Sequence, residues 1–418
     1  MIELKIITKR FDKVNPNSLS DYIKTDGFIS LRKALKMNRI QILDEIQKSR
    51  LRGRGGAGFP VHIKMMALAK EISNEKYLVC NADEGEPGNF KDRAILEKDP
   101  FCVIEGMLIA AIATGATKGY IYIRCEYDKA IGIMKNAIIT ANKENYLGKA
   151  ILGSDFSFDI EVRTGAGSYV CGEEFALLES IEGKCGRTRV KPPFPTSVGL
   201  FKKPTCINNV ETFANLPVII EMHGDEYAKI GTPSSTGTKL ISLSGNVNNK
   251  GVYEIPFGIS INTVIKELGG GIANGRHLKM VQLGGACGPI IPAYLLDMII
   301  DYDRFDEFES KTGSGAIIVM DDRFDLFLIL KRIVEFFQHE SCGKCAPCRE
   351  GHIQLSRLIQ KFSDRKASIK DLILIESLAR VIHQTSLCGL GQSSPTAIIS
   401  TLKYFRDDYI DRLESLET

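Results

Sequence analysis

Two periods of apolar and polar positions divide the chain. From residue 51 to 235, short apolar runs alternate with helical stretches, as in KYLVC (76–80), YIYIR (120–124) and FDIEVR (158–163). Such alternation predicts strands joined by helices in an α/β sheet. Residues 1–50 read as a lead-in with a helix over 30–49. Residues 236–321 change character. There KLISLSGNV and GVYEI predict a hairpin around Asn249-Lys250-Gly251, SINTVIKEL a helix stopped by Gly269-Gly270-Gly271, and LKMVQL and AIIVMD two more strands. The order ββαββ suits a small β-grasp module. From residue 322 the period is helical, with helices over 323–339, 349–363, 368–384 and 395–416, and Leu372, Ile375, Ala379 and Ile382 on one stripe. Four helices joined by short loops predict a bundle over 322–418.

Composition adds limits. The apolar fraction of 44% and charged fraction of 25% are ordinary for a globular protein, and 418 residues can bury a sizeable core. A formal charge of +3, without a basic stripe interleaved with aromatics, gives no case for a nucleic-acid partner. Charges interrupt every apolar run of the opening MIELKIITKRFDKVNPN, so no secretory segment is expected. The longest apolar stretch, 107–116, is too short to cross a bilayer and predicts a buried helix. The expectation is a cytoplasmic protein, or one peripheral on a membrane complex, with no membrane insertion of its own. Eleven cysteines in such a chain argue for free thiols or metal ligands rather than disulfides.

Four of those cysteines form a pattern. HESCGKCAPCREG sets Cys342, Cys345 and Cys348 at three-residue steps, and Cys388 follows forty residues later in TSLCGLGQ. Three thiolates in C-x2-C-x2-C with a remote fourth are the usual arithmetic of a [4Fe–4S] cluster. Zinc competes, although its sites usually come as two separated C-x2-C pairs. Unliganded core thiols are the plain alternative.

Three glycine-rich or acidic loops carry the remaining chemistry. LRGRGGAGFP (51–60) contains a G-x-G-x-x-G, but a charged helical stretch precedes it instead of an apolar strand, so the ordinary dinucleotide context is missing. Gly53 and Gly55 beside Arg52, Arg54 and Lys64 still suit a phosphate; a flexible basic loop is the bland reading. YLVCNADEGEPG ends a strand in Asn81, Asp83, Glu84 and Glu86, which suit hydroxyls or ring N–H groups, or else form a solvated turn. RTGAGSYVCGEEF permits close backbone approach at Gly165, Gly167 and Gly172, with Glu173 and Glu174 at a helix start, where acids also serve as dipole partners. Lys191 and Phe194 follow in KPPFP, then Asn208, Asn209 and Thr212 in INNVET. Phe194 can stack on a heterocycle or be plain core, and the asparagines can meet an imide edge or cap a helix.

Taken in order, RGRGGAGFP, NADEGEPG, GAGSYVCGEE, KPPFP, NNVET and ESCGKCAPCREG resemble the NADH-binding flavoprotein subunit of respiratory complex I and its relatives, the diaphorase subunits of NAD-linked hydrogenases and formate dehydrogenases. The resemblance runs from about residue 20 to 410. It implies FMN, one [4Fe–4S] cluster held by Cys342, Cys345, Cys348 and Cys388, and NAD(H) as substrate. It implies a Rossmann-like FMN/NADH domain (51–235), a β-grasp module (236–321) and a cluster-bearing four-helix bundle (322–418). Positions matching Gly53, Arg54, Gly55, Lys64, Asn81, Asp83, Gly172, Glu173, Asn208, Asn209 and Thr212 contact the flavin in the family. Those matching Phe59, Glu86, Glu174, Lys191 and Phe194 contact NADH, and Tyr169 lies beside the ring. Glu86, Tyr169 and Glu174 are the residues expected nearest the reaction, and Glu84 joins the cofactor set through the acidic loop. The chain departs from the family at Val61-His62-Ile63, at Met65, at Ala67, and at Phe175, which makes the usual GEET into GEEF.

The resemblance also implies a hydride passed from NADH to the flavin, then single electrons passed to the cluster, the protein supplying orientation and electrostatics. Glu174 beside a ribose is expected to disfavour the 2′-phosphate of NADPH. A thioredoxin-like [2Fe–2S] subunit and a larger iron–sulfur subunit are the implied partners. TSLCGLGQ looks more like the hydrogenase and formate dehydrogenase subunits than like complex I. Alternatives are an electron-bifurcating subunit, a complex I subunit, or, in a different class, a non-catalytic relay or scaffold.

Overall fold

The apolar run around residue 79 forms the middle of a parallel sheet in the computed structural model, which describes residues 2–306 and 313–414. The strands are β1 (Tyr77–Ala82), β2 (Lys118–Ile123), β3 (Asp159–Thr164) and β4 (Thr205–Asn209), in the order β3-β2-β1-β4. All three pairings are parallel, and Asn81 at the end of β1 aligns with Tyr122 on one side and Asn209 on the other. The strand order reverses between β1 and β4. In open α/β sheets ligands bind outside the carboxyl ends of the strands at such a reversal.

The chain divides into two units: Met1–Gly85 with Phe90–Ile241 and Val252–Gly258, and Glu86–Asn89 with Ser242–Gly251 and Ile259–Thr418. In the first unit, the Pro100–Thr114 helix is buried along almost its whole length. Proline at its first position costs no hydrogen bond, and Gly115, at φ 72°, ends it in the left-handed region. It packs on the Val210–Met222 helix. The two backbones approach closely at Gly106, where a Cβ would stand 2.0 Å from the Phe213 carbonyl oxygen. The helix expected over 30–49 is two helices, Ile29–Ala34 and Arg39–Lys48. Asn38 starts the second, its side chain accepting from Gln41 N while Gln41 Oε1 accepts from Asn38 N, both at 2.9 Å. Strand β4 was not anticipated: TCINN lacks an apolar run, and its parallel pairing to β1 makes it a strand.

A second sheet has the order β6-β5-β9-β7-β8, from β5 (Thr238–Gly245), β6 (Gly251–Pro256), β7 (Leu278–Leu283), β8 (Ile290–Pro292) and β9 (Ala316–Asp321). In the second unit, β5 from Ser242 onward runs parallel to β9, while β7 runs antiparallel to both β9 and β8. The three-residue β8 is the strand the expected ββαββ order lacked. SINTVIKEL forms one α-turn, Ile261–Thr263, and then a wider π-turn, Val264–Leu268.

The C-terminal helices are Leu326–Glu340, Ala346–Ser363, Ile369–Thr385 and Thr396–Tyr404, each packed on the one before it. The first three follow the expected positions within three residues. The fourth stops at Phe405, at φ −129° and ψ 37°, and a short helix, Arg406–Ile410, follows. Its expected last residues, 415 and 416, lie outside the described residues. The five-residue helix Gly389–Ser393, next to Cys388, was not anticipated. No described helix is long and apolar enough to cross a membrane.

Gly106→Ala forces the two buried helices apart and is expected to lower stability by about 1–3 kcal/mol, as overpacking does. Urea unfolding at constant m-value measures it.

A candidate flavin and iron–sulfur site

The glycine loop is held from behind. Gly53 N donates to Phe59 O at 2.9 Å, and Arg52 Nε donates to Gly58 O at 2.7 Å. Arg54 is fully buried. Its guanidinium donates to the carbonyls of Thr236 (2.6 Å), Arg52 (2.9 Å) and Thr238 (3.0 Å) and to Tyr227 Oη (3.3 Å), and lies 4.9 Å from the centre of the Phe257 ring. Its backbone N–H donates to Thr212 Oγ1 at 2.9 Å. The Arg54 side chain thus fixes the loop's shape, and the flexible basic loop is not what forms.

Three other expected segments connect to this loop in a chain of contacts that begins at Asn209 and Thr212. Asn81 Nδ2 donates to Gly172 O at 2.9 Å, and Asn81 Oδ1 accepts from Asp83 N at 3.0 Å. Asn209 Nδ2 donates to Asn81 O at 3.4 Å. A Cβ on Gly55 would stand 3.0 Å from Asn209 Cβ, and one on Gly85 3.0 Å from the Tyr169 ring. Lys64 Nζ donates to Ile207 O in β4 at 3.1 Å. Gly53–Gly55, Asn81, Asp83, Tyr169, Gly172, Asn209 and Thr212 therefore converge where β1 and β4 end.

Several expected ligand residues have structural duties too. Glu84 caps the Lys91–Lys98 helix, accepting from Asp92 N (2.9 Å) and Arg93 N (3.0 Å). Burial and the neighbouring Asp92 carboxylate push it up to about 7. Glu173 caps the Glu174–Ile181 helix through Phe175 N and Ala176 N, both at 3.0 Å. Among the described residues its other oxygen, Oε1, is buried without a hydrogen bond, although Lys191 Nζ lies 3.4 Å away and also pairs with Glu174. That spacing is an ion pair rather than a hydrogen bond. Phe175 is buried, with Lys191 and Arg189 over its ring. Phe59 and Phe194 are about half exposed, so Phe194 is not core. Asn208 is buried and turns its amide toward Cys206 Sγ, 3.6 Å away. Glu86 belongs to the second unit, where it accepts from Cys287 N (3.0 Å) and Cys287 Sγ (2.9 Å).

Sequence reasoning missed the buried ions beneath these loops. Lys91 contacts Asp92 (2.6 Å) and Glu211 (3.0 Å), and Lys239 contacts Glu211 (2.6 Å). Asn209 joins them, accepting from Lys91 at 3.1 Å and donating to Asp92 at 2.7 Å. Burial lowers Lys239 to about 7 against the pull of Glu211, and Lys91 lowers it further. The available signal was Lys239 opening the apolar run KLISL, a charge with no solvent face to occupy.

In the second unit Cys342, Cys345 and Cys388 are electrostatic neighbours of Cys348 near the start of the Ala346–Ser363 helix, although among the described residues no three ligating side chains are grouped tightly enough to hold a single metal ion. Cys348 is buried and the other three are half-buried. Burial and the adjacent Cys345, Cys388 and Cys342 push the Cys348 thiol up to about 11. A Cβ on Gly391 would stand 3.2 Å from Cys348 Cβ, so that glycine lets the Cys388 segment close on the other three. Four thiols from two segments suit an iron–sulfur centre, as the glycine-permitted convergence at β1 and β4 suits a flat ring with a phosphate.

Family comparison decides between these chemistries. Residues 46–218 match the Nuo51 FMN-binding domain, and residues 328–412 match the NADH-ubiquinone oxidoreductase-F iron–sulfur binding region. The chain belongs to the family of NADH-binding FMN/iron–sulfur flavoproteins found in complex I and NAD-linked hydrogenases. It is 45% identical over 407 residues to the NADP-reducing hydrogenase subunit HndC of Solidesulfovibrio fructosivorans, covering 97% of this chain and 83% of that one. It is 42% identical to an NADH-quinone oxidoreductase subunit of Rhizobium meliloti, covering 98% of this chain and 97% of that one. A solved NAD+-reducing [NiFe]-hydrogenase chain superposes with a TM-score of 0.85 at 32% identity, over 99% of this chain and 68% of that one. Family membership makes this an NADH-oxidising subunit with FMN and a [4Fe–4S] cluster, and it favours iron–sulfur over zinc.

Raised above its unfolded value, the Glu84 carboxyl stabilises the fold most below about pH 4.5, and that contribution is lost as pH climbs through about 7. Glu84→Gln is expected to flatten this part of the stability profile. Guanidinium unfolding of both proteins at pH 5 and pH 8 measures the difference.

Proposed function

We propose that this subunit exchanges a hydride between NAD(H) and FMN and passes electrons singly through its [4Fe–4S] centre to iron–sulfur partner subunits. The observation that carries the reading is the convergence of Gly53–Gly55, Asn81, Asp83, Gly172, Asn209 and Thr212 at the reversal between β1 and β4. When bound, FMN supplies the conversion of one two-electron transfer into two one-electron transfers.

The chain's residues position and insulate. The Gly53–Gly55 backbone and Lys64 serve the phosphate end, while Asn81, Asp83, Asn208 and Asn209 serve the polar edges of the ring system. Gly172 leaves room beside the ring, with Tyr169 flanking it. Glu173 holds the Glu174–Ile181 helix start in place. Glu174, Lys191, Phe59 and Phe194 receive the dinucleotide, the exposed aromatics offering faces for stacking. Cys342, Cys345, Cys348 and Cys388 hold the cluster. We assign residues 51–235 to the flavin, 236–321 to the β-grasp module and 322–418 to the cluster, and place the protein in the cytoplasm.

The onward partners are a thioredoxin-like [2Fe–2S] subunit and a larger iron–sulfur subunit, and TSLCGLGQ favours a hydrogenase or formate dehydrogenase assembly over complex I. Ferricyanide reduction by NADH, lost in the flavin-free protein, tests the reading. A flavin-loaded protein inert toward NADH overturns it.

Glu174 selects against the 2′-phosphate. Like-charge juxtaposition costs several kcal/mol, so NADPH is expected to support less than about a tenth of the NADH rate. Glu174→Gln narrows the gap, as steady-state rates with both nucleotides will show. Cys345→Ala removes a cluster ligand, so iron falls below that of the parent chain. NADH still bleaches the flavin in a single turnover, read at the flavin absorbance band.

A further inference from the structure

The sulfur of Cys348 has two polar side chains aimed at it that the motif arithmetic does not include. Ser341 Oγ lies 3.2 Å from Cys348 Sγ. His352, one turn further along the Ala346–Ser363 helix, has Nδ1 3.6 Å from the same sulfur and 2.6 Å from the Cys348 carbonyl oxygen. A carbonyl oxygen can only accept, so Nδ1 carries the proton and its N–H is shared between that oxygen and the sulfur. The direction of the Ser341 contact is also fixed once Cys348 is a metal-bound thiolate, since a thiolate accepts and the hydroxyl must donate. Ser341 is itself held, accepting from Gly343 N at 3.2 Å.

The imidazole has little freedom to do anything else. His352 is 1% exposed and stacks on Phe337 with ring centres 6.0 Å apart and planes 18° apart. Its Nε2 is buried with no hydrogen bond among the described residues. A histidine serving packing alone would leave this nitrogen no worse off as leucine or phenylalanine. What the imidazole adds is the Nδ1–H directed at the ligand turn.

We propose that Ser341 and His352 are positioning residues that set the reduction potential of the iron–sulfur centre by donating two hydrogen bonds to the sulfur of Cys348. This rests on the reading of Cys348 as a cluster ligand. Reduction adds negative charge that the ligand sulfurs share, and donors to a sulfur stabilise the reduced form. The two donors make the centre a readier electron acceptor.

The test uses the full chain with its cluster reconstituted, read by EPR of the reduced centre in a potentiometric titration, with iron counted in parallel. His352→Leu and Ser341→Ala are each expected to lower the reduced-to-oxidised ratio at a fixed ambient potential by roughly three- to tenfold, tenfold being 59 mV for one electron. Iron content stays at the parent value. His352→Asn, which keeps an N–H near the Nδ1 position, is expected to hold the parent ratio. An unchanged ratio in both donor-deleting variants with full iron overturns the proposal. So does an Asn variant that shifts as far as the Leu variant, because then the N–H is not the cause. If His352→Leu loses iron, Ser341→Ala decides alone, and iron loss in both assigns these residues to cluster retention instead. Cys348→Ala separates the underlying reading: parent-level iron there removes Cys348 from the ligand set, whatever the potentials show.

Discussion

The carboxylate of Glu211 lies fully buried between the ammonium groups of Lys91 and Lys239, and its second oxygen accepts from Leu240 N at 2.8 Å. One side chain thereby ties together the start of the Val210–Met222 helix, the start of the Lys91–Lys98 helix and the beginning of β5. Leaving one of these charges unpaired in the interior would cost about 3–5 kcal/mol, so the three segments are committed to each other. Asn209, bonded to Lys91 and Asp92 on this network, has its amide fixed before any cofactor arrives. The acceptor and donor edges at the end of β4 are set by ions that never touch solvent.

The sheet converts this fixed floor into a site. Parallel strands put all their carboxyl ends at one edge, and the reversal between β1 and β4 parts the helices there. Asn81 and Asn209 then stand side by side in register. The glycine loop reaches the same edge from a helix rather than a strand, braced by the buried guanidinium of Arg54 instead of by sheet hydrogen bonds. A pre-shaped loop loses little freedom on binding, which favours a tightly held prosthetic group over an exchanging ligand.

The second unit solves a different problem. Its four thiols are contributed by a loop, a helix start and a remote turn, and the helices carrying them are amphipathic, with Leu355, Ile359, Ile375, Ala379 and Ile382 buried. Gly391 lets the Cys388 turn reach Cys348. The donors at Ser341 and His352 sit on the same framework that brings the ligands together, so ligand geometry and hydrogen bonding to the ligand are set by one packing arrangement.

The sequence alone determined most of the elements and narrowed the chemistry. Cysteine spacing and the alternation of apolar runs are local patterns that point to a metal or iron–sulfur centre and an α/β sheet, whereas the flavin follows from the resemblance that the ordered motifs carry together. Three expected strands of the first sheet and three C-terminal helices lie where the periodicity placed them. Strand β4 and the break between Ala34 and Arg39 do not show as apolar periods. One is a strand through pairing to β1, and the other is a turn through the Asn38–Gln41 box. Tertiary structure also decided the duties of charged residues. Glu84 and Glu173 cap helices, Arg54 braces its own loop, and Lys91 and Lys239 pair with Asp92 and Glu211 in the interior. A charge's role depends on which opposite charge or open backbone group lies within a few ångströms. Folding brings such neighbours together from positions far apart in the chain, and residue type and spacing carry no record of them.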